Sequence, residues 1–274
     1  MKTPFLLALV LGVVVMMGAG CIRSANAPLT PQAQEDIRSV RTGDTIVLQE
    51  ASAVVHGTYK GEAVTRRVQL TEFSMGKQSA GSWQLNTIAT TSTELGKGTW
   101  SNATLNTSHQ FYLPAIIDAK TRPLGDAAIL FFGREEYREF ANTLGTTIDL
   151  RVIEEDAWVT RTNAHAPAKK AFTALKSLAR KEDDARKDLA YAKKEAEPVS
   201  VKVMVDGIEQ RLPATRLRNW YGTYDVWNRE DSPLVLSFTL DPQIDKTKLD
   251  VTKGDGAELA KLMNYRVTAI ELAQ

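Results

Sequence analysis

Few residues in this chain stand at spacings that do chemistry. Ser74-Met75-Gly76-Lys77 matches S-x-x-K, in which a lysine one helical turn from a serine activates it as a nucleophile. Gly76 and the β-rich surroundings argue against one helical face, and no G-x-S-x-G, S-D-N or K-T-G element accompanies it. His56, His109 and His165 fall in no metal-ligand spacing, so they read as solvated or structural, and no metal is expected. Asp250 and Asp255 lie near glycines without the D-x-D-x-D-G order of a calcium loop, and read as a polar turn. Without a P-loop or a G-x-G-x-x-G the chain has no cradle for nucleotide phosphates, and no cofactor is expected.

The densest chemistry is "RLRNWYGTYDVWNRED". It sets Trp220, Tyr221, Tyr224 and Trp227 beside Arg218, with Arg216 and Arg229 flanking. Large rigid rings next to arginine lose little entropy on contact and are enriched at binding hot spots, and aromatic faces also stack on sugars or cations. Strand alternation offers the competing reading. It sends Trp220, Gly222 and Tyr224 to one face and Tyr221 and Thr223 to the other, the inward set filling a core.

Cys21 is the only cysteine in 274 residues. The chain can therefore form no internal disulfide, and beyond Cys21 it contains no thiolate site. Ahead of it, "MKTPFLLALVLGVVVMMGAG" has Lys2, an apolar run from Phe5 to Met17 and a small-residue exit, the order of a secretory signal. The run is shorter than the roughly 20 residues that cross a bilayer. Ala19-Gly20-Cys21 resembles a bacterial lipoprotein signal, with Gly18 where that pattern has an aliphatic residue. The resemblance implies that Cys21 is acylated on sulfur, becomes the mature amino terminus and attaches the protein to a membrane. With 34 basic and 33 acidic side chains in the whole chain, no net field attracts nucleic acid.

The elements that must position these residues are α+β. Behind the signal at 1–21, residues 22–39 read as a tether, with Thr30 capping a helix start at Pro31. Residues 40–160 read as a β-rich antiparallel barrel or sandwich, punctuated by glycines. Within them "AAILFF", 127–132, lacks alternation and reads as a strand buried on both faces. "REEYREFANTLG" sets Tyr137, Phe140 and Leu144 at helical spacing, and "TIDLRVI" returns to strand. Between 161 and 198 lies a linking segment, with one long surface helix over about 167–197. Its stripe, Ala171, Leu175, Leu178, Glu182, Ala185, Leu189, Ala192 and Ala196, recurs every three or four residues. Residues 199–274 read as a small α+β segment. It opens with a hairpin at Asp206-Gly207, suited to a type I′ turn, and contains a short helix with Leu259, Leu262 and Met263 on one face.

Leu113-Pro114-Ala115 and Leu212-Pro213-Ala214 each precede a glycine, a strand, a helix and a strand, so 111–154 and 211–272 read as a possible duplication. The second copy, "LPATRLRNWYGTYDVWNREDSPLVLSFTL", is similar to a segment of uncharacterised bacterial envelope proteins, with Ser232 where an asparagine is usual before Pro233. That resemblance implies a compartment and no activity. The sequence thus points to an exported lipoprotein of the cell envelope. It would be a non-enzymatic binding or structural module, contacting another envelope protein or a glycan through the aromatic segment. The alternative is a cell-wall hydrolase whose site has no recognisable motif.

Overall fold

A computed structural model describes residues 37–274 apart from 56–57, 90, 107–108, 117–121, 124, 126, 151–164, 186–187 and 245–247. Cys21, the signal, nearly all of the tether and His56 lie outside the described residues.

The first strands are β1 (Thr45–Glu50), the short pair β2 (Ala53–Val55) and β3 (Thr58–Lys60), β4 (Val64–Ser74), β5 (Gln78–Thr87) and β6 (Glu94–Thr104). Next come β7 (Gln110–Tyr112), β8 (Arg122–Pro123), β9 (Ala127–Ile129), helix α1 (Arg134–Asn142), β10 (Gly145–Thr147) and β11 (Asp149–Leu150). Helix α2 (Ala166–Ala185) and β12 (Tyr191–Lys194) lead into β13 (Val199–Val205), β14 (Ile208–Arg218), β15 (Gly222–Trp227), β16 (Val235–Leu240), helix α3 (Gly254–Met263) and β17 (Tyr265–Glu271).

Strands β13 to β17 form a closed five-stranded barrel. Four successive antiparallel neighbours reverse direction each time, so the first and fifth strands must run the same way. The closing pair is accordingly parallel, Met204 opposite Ala269 and Val205 opposite Ile270. Asp206 and Gly207 both take positive φ, 48° and 81°, and close the β13–β14 hairpin as a type I′ turn requires. Val203, Leu212, Leu217, Tyr224 and Phe238 are among the buried side chains of these strands.

The free edge of β17 pairs with β1, and from there the sheet leaves the barrel through β4, β5, β6 and β8. At the other side the end of β14 carries β12 and then β10, making twelve strands in all. A separate three-stranded sheet, β11-β7-β9, is parallel throughout. Alternation is clean in β4, where Val64, Arg66, Val68 and Leu70 are buried and their neighbours are not. Across from them, the Trp100 ring lies on Gly81, where a Cβ would come within 2.2 Å of it. A glycine there is what admits the largest buried side chain of the sheet.

The β-rich expectation holds, but the closed barrel is built from 199–274, the part expected to be a small α+β segment. Strands β1, β4, β5, β6 and β8 are instead an extension of the same sheet. The helix expected over 167–197 is also corrected. It begins near Pro167 but α2 ends at Ala185, and Tyr191–Lys194 is strand β12. Leu189 and Ala192 are buried as expected from the stripe, but in the turn and strand that pair with β14 and β10. An alanine-rich stripe stabilises a helix weakly against tertiary pairing. Where Phe172 and Leu175 offer about 1.5–3 kcal/mol each on burial, α2 persists and packs along α3.

"AAILFF" is buried from Ala127 to Phe132, as expected, but the strand expected over it ends at Ile129, before Leu130 at φ 61°. In α1, Phe140 is buried, but Leu144 lies past the helix and is 80% exposed. Leu259, Leu262 and Met263 are buried on α3. Among the described residues the two stretches expected to be duplicated differ. Pro114 opens a 3₁₀ turn after a strand in parallel pairing, whereas Pro213 lies within antiparallel β14.

Candidate functional site

The aromatic segment enters the fold through one polar side chain. Asn219 is 3% exposed, and its Oδ1 accepts hydrogen bonds from the Tyr221 N–H (3.0 Å) and the Gly222 N–H (3.2 Å). Its Nδ2 donates to the Ile148 carbonyl at 3.1 Å. A side-chain oxygen accepting from the backbone two and three residues on is an Asx-type turn. It brings Trp220 against the segment before β12, where the Trp220 N–H donates to Leu189 O at 3.3 Å. Trp220 and Tyr221 then meet edge to face, their centroids 5.1 Å apart.

The structure brings the sequence candidates together, but mostly as core, which corrects the idea of an exposed aromatic face. Trp220, Tyr221, Tyr224 and Trp227 are all at most 7% exposed. Tyr224 sits among Phe111, Phe132 and Phe238, and burial pushes its phenol above the usual range. Simple alternation fails because both faces of β15 are covered. Asp225, directed opposite to Tyr224, is held by Arg216 (2.7 and 3.0 Å) and by the Ser237 hydroxyl (2.8 Å).

Trp220 remains the exception, because it borders open space. A cleft of about 650 Å³ runs between it, Leu189 and β12. Lys193, Lys194 and Arg218 line it, opposed by Asp188 and Glu195. Arg218 is ion-paired with Asp241, and Lys194 Nζ donates to Phe140 O at 3.4 Å. The Trp220 indole Nε1 is buried and finds no acceptor among the described residues. A buried donor left unpaired costs about 1–3 kcal/mol, so an acceptor brought into the cleft would recover that energy.

Other reactive residues are placed elsewhere. Ser74 and Lys77 flank the β4–β5 turn, the Lys77 N–H donating to Ser74 O at 2.9 Å around Gly76 at φ 80°, so S-x-x-K here is hairpin geometry. Asp250 accepts from the Thr252 N–H (2.9 Å) and pairs with Lys253 (2.9 Å), contacts that lower its pKa, while Asp255 pairs with Lys170 at 3.0 Å. Among the described residues no group of three or more His, Cys, Asp or Glu is placed to hold a metal ion.

The histidines pair with acids the sequence did not single out. His165 stacks on Tyr59 at 3.8 Å beside Glu258, whose carboxylate accepts from the Tyr59 hydroxyl (2.5 Å) and pairs with Lys261 (2.6 Å). His109 Nδ1 lies 3.5 Å from Glu136 Oε1, and Glu136 is 2% exposed with no hydrogen bond to either side-chain oxygen from the described residues. Burial raises the Glu136 pKa to about 7, and Glu135 and Glu139 on the same helix add to the rise.

Among the described residues no helix is long and apolar enough to cross a membrane. Comparison with family models, curated proteins and solved structures finds no match.

Proposed function

We propose that this protein is an exported, lipid-anchored binding module of the cell envelope, non-enzymatic, which holds an anionic envelope component in the cleft beside Trp220. The cleft carries the reading: a cavity of small-ligand size, a buried indole N–H unpaired among the described residues, and Lys193 and Lys194 at its wall beside the Asp241-paired Arg218, against the acids Asp188 and Glu195. A ligand carboxylate would accept from the indole while Lys193, Lys194 and Arg218 offset its charge. The leader ending at Cys21 supports the anchor.

The competing hydrolase reading would draw on Asp188 and Glu195, the two carboxylates of the same cleft. Among the described residues no serine, cysteine or histidine lines the cleft beside them. That composition favours binding over acyl transfer.

Two measurements on the full-length chain test the proposal. A synthetic muropeptide with free carboxylates is expected to perturb tryptophan fluorescence saturably. Trp220→Phe, which keeps the ring and removes the N–H, and Arg218→Ala should each weaken its binding at least fivefold. Unchanged affinity in both variants, or no saturable response in folded wild type, would overturn the site. Metabolic labelling with an alkyne fatty acid is expected in wild type and absent in Cys21→Ser. Equal labelling would remove the anchor.

A further inference from the structure

The cleft beside Trp220 holds two cations in a position that a sheet pays for. Lys193 on β12 is directly opposite Arg218 on β14, so both side chains leave the same face of the sheet, one strand spacing of about 4.8 Å apart. Like charges in directly opposed positions destabilise a strand pair. Arg218 is ion-paired with Asp241, whereas Lys193 has neither an ion pair nor a hydrogen bond from its side chain among the described residues. On its other flank Lys193 is opposite Gly145 of β10, which has no side chain to meet it. A lone surface lysine is ordinary. One held against an arginine, at the wall of a cleft of about 650 Å³ that buried Leu189 and Trp220 also line, is a seat for an anion that bridges the two.

The same register puts an acid one step along the strand. Glu195 follows Lys193 by two residues, and its N–H donates to Arg216 O at 2.9 Å, which continues the pairing of β12 with β14. Its side chain therefore leaves by the face that Lys193 uses, about 6.6 Å further on. Arg216, across from it, is held by both oxygens of Asp225 at 2.7 and 3.0 Å and feels Glu195 only at longer range. The Glu195 carboxylate makes no hydrogen bond or ion pair among the described residues. Asp188, the other acid of the cleft, stands exposed in the turn before β12, its carbonyl taken by the Tyr191 N–H at 3.2 Å.

With Asp241 counted, three acids stand against Lys193, Lys194 and Arg218, so a polyanion finds no net field here. What the cleft offers is two charges of opposite sign, set apart along one strand, beside an apolar wall. We infer that it takes a zwitterion: a short peptide whose carboxylate bridges Lys193 and Arg218 and whose primary ammonium, several bonds away, pairs with Glu195. Leu189 and Trp220 would pack against the aliphatic stem between the two charges. This rests on the cleft being the binding site, and it names the second charge that such a ligand carries.

The test is a calorimetric titration of the full-length protein in detergent with two synthetic muropeptides, identical except that the lysine side-chain amine is free in one and acetylated in the other. In wild type the free amine is expected to bind saturably and the acetylated form at least tenfold more weakly. Glu195→Gln, which keeps the shape, should bring the free form down to the level of the acetylated one and leave the latter unchanged. Lys193→Ala should weaken both. Lys193 is exposed and Glu195 half-exposed, so circular dichroism of both variants should match wild type. Equal affinity of wild type for the two peptides, a preference for the free amine retained in Glu195→Gln, or full affinity in Lys193→Ala would each overturn the zwitterion. In those cases the cleft itself still stands if Trp220→Phe weakens both peptides. Binding of neither peptide by folded wild type would remove the cleft and this inference together.

Discussion

Arg66→Met is expected to cost the fold about 3–5 kcal/mol, because it strands the Glu50 carboxylate in the core without its partner. Arg66 and Glu50 are 2% and 1% exposed, joined by Nε to Oε1 at 2.5 Å and Nη2 to Oε2 at 3.1 Å. The guanidinium also lies 4.6 Å from the centre of the Trp83 ring. Even so the pair is not fully satisfied, since Arg66 Nη1 has no acceptor among the described residues. A buried ion pair repays desolvation poorly under those conditions, so replacing both partners should cost far less than replacing one. In chemical denaturation, Arg66→Met and Glu50→Leu should each lower the midpoint strongly. Glu50→Leu/Arg66→Met should recover to within about 1 kcal/mol of wild type or exceed it. A double variant as unstable as the sum of the singles would mean that the side chains act through shape and not through their mutual charge.

Why the pair escapes sequence inspection is instructive. In "VTRRVQL" strict alternation must send one of two adjacent arginines inward, and nothing local says that Glu50, sixteen positions earlier, waits across the β1–β4 ladder. Local devices were legible: the Asp206-Gly207 turn, the buried run at 127–132 and the apolar face of α3 each follow from a few neighbouring residues. The end of α2 was not, because Leu189 and Ala192 continue the helical spacing while the partners that claim them, β10 and β14, are remote in sequence. Barrel closure was hidden for the same reason. It depends on the parity of five strands and on a parallel pair joining residues more than sixty apart.

The candidate site was legible in part. Composition marked the aromatic cluster, but only Trp220 and Arg218 border the cleft, because core packing around Tyr224 takes the other rings. Lys193 and Lys194 fall within the helix expected over about 167–197 but outside its stripe, and only as part of strand β12 do they stand at the cleft with Trp220.

Glu136 is the case in which a signal was present and went unused. It precedes Phe140 by four residues, so helical periodicity puts it on the buried side of α1. A carboxyl raised to about 7 in the folded chain, against an ordinary 4.5, is protonated in the native state before it is in the unfolded one. The native state therefore binds more protons between those values, and stability falls as pH rises from about 4.5 to 7. Spread over that interval, the loss amounts to about 3 kcal/mol, fully present above pH 7. The charged groups placed near the carboxyl are Glu135 and Glu139, which repel the anion, and half-exposed His109, which attracts it when protonated. Glu136→Gln keeps the shape and removes the titration. It should match wild type near pH 4.5 and exceed it by about 3 kcal/mol at pH 8, a rise in melting temperature of roughly 6–12 °C. His109→Ala should preserve the wild-type slope or steepen it, since the anion then loses the imidazole 3.5 Å away. Equal stability of wild type and Glu136→Gln at pH 8 would mean that the carboxylate is charged at little cost, its oxygens reached by water.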